Sequence, residues 1–202
     1  MSDELSLEGG DLGRQARAER PVRADAQRSL DALLQAAKLV FATSGVDAPV
    51  REIAEKAGVG VGTLYRHFPK RSDLVIAVFK REVDACAAAA ATLAAAYPPG
   101  EALAKWLERF TDFIATKRGL APALHSGDPA YASLAAYFGQ NRAALRGLLD
   151  AAAASGEIRG DVDAGDLLNA VAHLSQGGPE QARPMVALLV DGLRFGARPS
   201  SA

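Results

Sequence analysis

With 202 residues, 49% apolar and 23% charged, and a net charge of −1, the chain is long enough for one or two domains of about 100–200 residues and too apolar to be disordered throughout. Its alanine-rich run, Ala85–Ala96, is closed off by Glu82, Asp84 and Pro98 and falls short of the about 18 residues a membrane span needs, while the single Cys86 excludes an intramolecular disulfide and any multi-cysteine metal site. Charge is uneven: residues 1–13 hold four acids and no Lys or Arg, residues 14–81 hold 13 bases against 7 acids, and residues 82–202 hold 10 bases against 13 acids, so a basic stretch suited to a polyanion precedes a neutral-to-acidic remainder.

Residues 1–22 mix Gly, Ser, Arg and acids without periodicity and reach Pro21, which predicts a mobile tail. Met1–Asp11 is acidic and has no apolar core, so no signal peptide is expected, and with one cysteine the simplest location is the cytoplasm. From Arg23 the pattern turns helical: Leu30, Leu33, Leu34, Ala37, Val40 and Phe41 form one stripe that should end at Ser44-Gly45. Pro49 opens a short second helix carrying Val50, Ile53, Ala54 and Ala57, closed by Gly58, and a third runs from about Val61 to His67. A long fourth helix starts near Lys70–Asp73, with Leu74, Val75, Val78, Phe79 and Val83 inward, and extends through the alanine run to about Ala96 before Tyr97-Pro98-Pro99-Gly100. The rest reads as helices at about 101–118, 121–125, 130–155, 163–176 and 179–196, separated by Gly119, Gly127-Asp128-Pro129, Ser155-Gly156 and Gly177-Gly178-Pro179. The fold class is all-α: a three-helix domain over 23–70 and a helical domain over 71–202, joined through the long helix.

The informative segment is Ile53 to Arg71, IAEKAGVGVGTLYRHFPKR. Two short helices crossing at a sharp angle need a small residue at the contact, a turn residue tolerant of positive φ and apolar residues that lock the pair. Ala54, Gly58 and the set Ile53, Ala57, Val59 and Leu64 fill those roles, which makes a helix-turn-helix inside a basic segment. Around it, the sequence resembles the N-terminal domain of TetR-type transcriptional regulators over about Arg28 to Glu82. The resemblance rests on Phe41, Gly45, the VREIAEKAGV run from Val50 to Val59, GTLYRHF from Gly62 to Phe68, and the basic pair followed by Asp73-Leu74. It departs from the family pattern in a stretch between Gly45 and Ile53 that is one residue shorter, and in Lys70, where a small capping Ser is common.

The resemblance implies a homodimer, each subunit placing its third helix in one major groove of a palindromic operator, and a repressor released by a small molecule bound in the C-terminal domain. The residues themselves support parts of this. Gly60 and Gly62 let backbone N–H groups approach phosphate, Thr63 offers a hydroxyl and a methyl, and Tyr65 and His67 can donate to phosphate. Arg66 is placed either to read guanine or to stand as a solvated surface residue, and Lys70 and Arg71 are expected to clamp the backbone. Leu64 and Phe68 are assigned to the core. Arg14, Arg17, Arg20 and Arg23 fit either a minor-groove arm or a solubilising tail.

In the second half Trp106, Phe110, His125 and Tyr137 are the candidate ligand-lining residues, because a pocket between helices is mostly apolar with a few polar tips, and Asn141, Arg142 and His173 are further possibilities. Phe110, Phe113 and Phe138 read first as core residues. Residues 163–196 carry two apolar stripes, Leu167, Leu168, Val171 and Leu174, then Met185, Leu188, Leu189, Gly192, Leu193 and Gly196, which suit a four-helix dimer interface. The alternative function is a dimeric DNA-binding protein without small-molecule control. With three His, no HExxH, no nucleophile elbow and no phosphate-cradling glycine motif, no catalytic residue, metal site or cofactor is expected. Cys86 is read as a small buried hydrophobe in preference to a redox sensor.

Overall fold

The computed structural model describes residues 9–124, 127–131 and 134–195. Among them are eight α-helices and no strand: α1 (Gly9–Ser44), α2 (Val50–Ala57), α3 (Val61–His67), α4 (Arg71–Ala96), α5 (Pro99–Leu124), α6 (Leu134–Ala154), α7 (Ala164–Leu174) and α8 (Pro179–Arg194), with single 3-10 turns at Pro129–Tyr131 and Ser175–Gly177. The local signals that define α2, α3 and α4 coincide with their ends. Pro49, with its φ fixed near −58°, precedes α2, and Gly58 ends it at φ 68°, a left-handed conformation costly for any residue with a Cβ. Lys70 precedes α4 with its own N–H donated to Asp73 Oδ2 at 3.0 Å, the half of a capping box in which an acid one turn in serves the backbone of the residue before the helix.

Two sequence expectations are corrected. α1 begins at Gly9, so residues 9–22, read as a tail, continue the first helix; Arg14–Arg20 is a run of good helix formers, and the helix continues through Pro21 although a proline there removes one backbone bond and crowds the carbonyl a turn back. Gly119 does not divide the fifth helix, which runs unbroken to Leu124. A lone glycine costs about 1 kcal/mol against alanine, and the burial of Leu120 and Ala123 just beyond it outweighs that.

α4 is the axis of the molecule. It packs on α5 and α6 along most of its length and on the second half of α1, where Lys38 pairs with Glu82 at 2.6 Å and Arg81 with Asp31 at 2.8 Å. One continuous core runs from Leu33, Phe41, Ile53 and Leu64 at the helix-turn-helix end through Phe79 and Val83 to Trp106, Leu145 and Val186. α7 and α8 pack on each other and on α5. No described helix is long and apolar enough to cross a membrane.

Candidate nucleic-acid interface

The geometry of α2 and α3 follows from the turn between them. The Gly58 N–H donates to Glu55 O and the Val59 N–H to Ala54 O, closing α2, and Gly60 then leaves the turn extended at ψ 147° while its carbonyl accepts from Thr63 N at 2.9 Å to start α3. Ile53, Ala54 and Leu64 are fully buried where the helices cross, and Phe68 is buried just past the end of α3. The opposite side of α3 faces out: Gly60, Gly62, Tyr65, Arg66 and Lys70 are exposed, Tyr65 by 50%, and Thr63 and His67 are half-buried. The His67 ring leans on Phe68, with centroids 6.2 Å apart.

Gly58 and Gly62 differ in an instructive way. The positive φ of Gly58 requires a glycine for the chain's own folding. Gly62 lies inside an ordinary helix, where alanine would be preferred, and a Cβ added there meets no atom within 4 Å; the same is true at Gly60. Nothing inside the chain asks for glycine at either position. Exposed Arg51, Lys56, Arg66 and Lys70 lie on the same short helices and their ends, and Arg51 is offset by Glu55 at 3.7 Å.

Arg71, assigned from sequence to the backbone clamp with Lys70, is half-buried and donates from Nη1 to the Val46 carbonyl, tying the α1–α2 turn to the start of α4. Around it Val46, Asp47, Val75, Ala123, Asp128 and Tyr131 line a cleft of about 250 Å³ where the helix-turn-helix meets α5 and the turn after it. Burial, with Asp128 adding to it, pushes the Tyr131 phenol above its usual range.

In the C-terminal helices the predicted aromatic set sorts itself. Trp106 is fully buried, donates from Nε1 to the Cys86 carbonyl at 2.9 Å, and stacks on Phe110 with centroids 5.5 Å apart and planes 9° apart. Phe110 meets Phe113, and Phe113 meets Phe79 of α4, giving an aromatic row across the α4–α5 contact. The indole donor that made Trp106 a ligand candidate is therefore used within the core. Tyr137 is half-buried under the Lys80 ammonium, 4.5 Å from its ring centroid. His125 and the Phe138 side chain lie outside what the structure describes. Arg142 and Arg146 both reach the Asp163 carboxylate, at 3.4 and 2.9 Å, on the surface. That carboxylate also accepts from the Asp166 and Gly165 N–H groups at the start of α7, and these bonds, ahead of the arginines, hold it below the usual range. His173 Nδ1 sits 2.7 Å from the Asn169 carbonyl. Burial, only partly opposed by Arg109, pushes the Cys86 thiol up to about 12, in keeping with a small core hydrophobe.

Three polar side chains are buried among the described residues. Thr111 and Ser175 each donate to a carbonyl one turn back, Leu107 and Val171, and so are satisfied within their own helices. Asn141 is 1% exposed, and neither its Nδ2 nor its Oδ1 has a hydrogen-bond partner. Each such group costs about 1–3 kcal/mol when left unpaired. No cluster of three metal-ligating side chains is present among the described residues.

On α7 and α8 the apolar stripes divide. Leu167, Val171 and Leu193 face the chain's own core, whereas Met185 and Leu188 are exposed, Leu188 by 74%, and a Cβ on Gly192 would meet nothing within 4 Å. With Leu174 and Leu189 they border an open groove of about 690 Å³ rimmed by Arg159 and Asp161. Gly196 lies outside the described residues, and Phe195 just before it is 86% exposed.

Comparison with known proteins agrees with this arrangement. Residues 33–78 match the family described as "Bacterial regulatory proteins, tetR family", and residues 98–195 match "Transcriptional regulator SbtR-like, C-terminal domain". A TetR transcriptional regulator from Streptomyces coelicolor is 39% identical, superimposes with a TM-score of 0.72, and is covered over 99% of its length by 85% of this chain. The TetR-like regulator LfrR from Mycobacterium smegmatis, solved in complex with proflavine, is 27% identical with a TM-score of 0.63, over 84% of this chain and 96% of that one. An HTH-type transcriptional regulator of Staphylococcus aureus is 38% identical over 64 residues, which are 31% of this chain and 35% of that protein, so the match spans about a third of the curated relatives' length.

Proposed function

Because the chain is a member of the TetR family of transcriptional regulators, we propose that it is a homodimeric repressor which binds a palindromic operator through α3 and is released by a small molecule held among its C-terminal helices. The observation that carries the DNA-binding part is the division of one seven-residue helix: Leu64 is sealed in the core while Gly62, Tyr65 and Arg66 are offered to solvent beside Gly60 and Lys70. A phosphate backbone can come close to Gly60 and Gly62, where no Cβ intervenes, with Thr63, Tyr65, His67 and Lys70 donating to its oxygens and Arg66 directed at a base edge. Arg71 adds charge from behind while holding the turn through Val46. On this reading residues 23–70 are the DNA-binding domain and 71–202 the ligand-binding and dimerisation domain.

The exposed Met185, Leu188 and Gly192 of α8 favour a partner copy on the α7–α8 face, roughly residues 163–196, since an apolar groove of this kind is covered in stable oligomers. Two reading heads then need to stand one duplex turn apart, about 34–36 Å. Ligand control draws support from LfrR, which takes proflavine on a similar fold. The rival reading, DNA binding without a small molecule, draws on the packing of Trp106 against Phe110 and the Cys86 carbonyl. The unpaired amide of Asn141 favours the first.

The test is selection of duplexes from a random-sequence pool by the full-length protein, followed by titration at several salt concentrations. A palindromic consensus bound by two chains, with affinity falling steeply as salt rises, is the expected result. Enrichment of no sequence would overturn the operator reading, and a flat salt response would overturn phosphate contact.

A further inference from the structure

The interior of the C-terminal helices contains one feature that packing alone does not account for. α6 lays an almost wholly apolar stripe on its neighbours, Leu134, Leu145, Leu148, Leu149 and Ala152, and in the middle of it stands the buried, unpartnered Asn141. A leucine there would leave no polar group unpaired, and a serine or threonine would satisfy itself against its own helix, as Thr111 and Ser175 do. A carboxamide has two donors and a two-lone-pair acceptor, too many for one carbonyl a turn away. Its level in the bundle is fixed by contacts on either side. Phe79 of α4 meets Phe113 of α5, and the next residue, Lys80, covers Tyr137 of α6, so Asn141 lies one helical turn beyond the level where α4, α5 and α6 come together. Tyr137, one turn before the amide on the same helix, is itself only half-buried.

We propose that Asn141 is the recognition group of the effector site and that the effector is a mainly apolar, ring-sized molecule presenting a hydrogen-bond acceptor and a donor on the two heteroatoms of one carbonyl carbon, as in a carboxamide, a lactam or an un-ionised carboxylic acid. Such an edge pairs with both halves of the Asn141 amide at once, while the molecule's apolar body packs among the apolar side chains that surround it on α6, Leu145 and Leu134 among them. This rests on the ligand-controlled reading for the existence of an effector, and it adds the chemistry by which that effector is chosen. A site built to pair a polar edge discriminates sharply against an analogue lacking it, because the protein's own amide is then left unpaired.

The experiment uses two probes of similar size, benzamide, which carries the paired edge, and isopropylbenzene, which does not, with the full-length wild type and Asn141→Leu. Binding is read by the thermal midpoint and by the emission of Trp106, the only tryptophan, which joins the same aromatic row through Phe110. The proposal expects wild type to bind benzamide at least tenfold more tightly than isopropylbenzene, and N141L to lose that preference while its midpoint without ligand holds or rises. Equal affinities in wild type, a preference that survives N141L, or no binding of either probe would overturn it. If N141L does not fold, a crystal structure of wild type with benzamide decides: an amide within hydrogen-bond distance of Asn141 supports the proposal, and benzamide elsewhere, or only water on Asn141, refutes it. Affinity for a selected duplex is measured on the same preparations. Loss of DNA binding with benzamide recognition intact counts against the regulator reading alone, and normal DNA binding without the preference counts against the Asn141 site alone.

Discussion

Replacing two glycines four residues apart separates folding from DNA binding. At Gly58, φ is 68° and a Cβ would meet nothing within 4 Å, so Gly58→Ala carries no clash and its whole cost is the left-handed backbone, about 1–2 kcal/mol. At Gly62 the backbone is helical and the space equally open, so Gly62→Ala gains about 0.8–1.0 kcal/mol of helix propensity. The two variants should therefore move the urea midpoint of the full-length protein in opposite directions, with unfolding free energies that differ by roughly 2–3 kcal/mol. Affinity for a selected duplex should move differently. G62A, the more stable protein, should bind at least tenfold more weakly, about 1.4 kcal/mol, because its methyl stands where a phosphate approaches the first turn of α3. G58A, measured well below its unfolding midpoint, should retain most of its affinity. A G62A protein that binds DNA as well as wild type would show that the open face of α3 is not the contact surface. A destabilised G62A would show that some internal contact does require that glycine.

Four other side chains give further expected results. Arg66→Ala should relax discrimination at one base pair by about 1–3 kcal/mol, and Lys70→Ala should weaken all duplexes alike and lower the salt slope by about one, both read from titrations on consensus and substituted duplexes. The fold keeps the Cys86 thiol neutral up to about 12 against an ordinary 9.0. That contribution to stability is complete below pH 9 and is lost as pH rises towards 12, so Cys86→Ala should flatten the alkaline limb of the unfolding profile, and native protein should resist iodoacetamide at neutral pH. Leu188→Glu should dissociate the dimer in sedimentation velocity without unfolding the chain. It removes about 1.5–3 kcal/mol of apolar burial from each copy and places a charge in the groove, and an unchanged sedimentation coefficient would move the interface elsewhere.

The parts of this molecule that could be read from sequence are those whose causes lie within a few residues. Gly58 ends α2 and Pro49 precedes it for local reasons, and the apolar spacing of Ile53, Leu64 and Phe68 identifies the buried side of the motif, so its exposed side follows by subtraction. Gly119 misled because its cost is local and small while the gain from Leu120 comes from packing. The first turns of α1 carry no apolar stripe, so the periodicity that marks the rest of the helix is absent from them. Trp106 and Asn141 exchanged standing for a related reason. Whether an indole N–H finds a carbonyl on another helix, or an amide finds nothing, depends on which residues of α4, α5 and α6 come level, and no spacing within one helix specifies that.

The bond from Arg71 to the Val46 carbonyl joins the base of α4 to the loop that leads into α2, so the reading head and the first turn of α4 move as one piece. α4 has 26 residues and is a rod of about 39 Å at about 1.5 Å per residue. Tilting such a rod by about 5° carries one end through about 3.4 Å, the rise of one nucleotide along a DNA strand. If each half of a symmetric pair swings in this way, the distance between the two heads changes by up to two base-pair steps while no hydrogen bond inside either head is altered. A very small angular response among the upper helices is thus enough to put both heads out of register with a rigid, periodic lattice of phosphates.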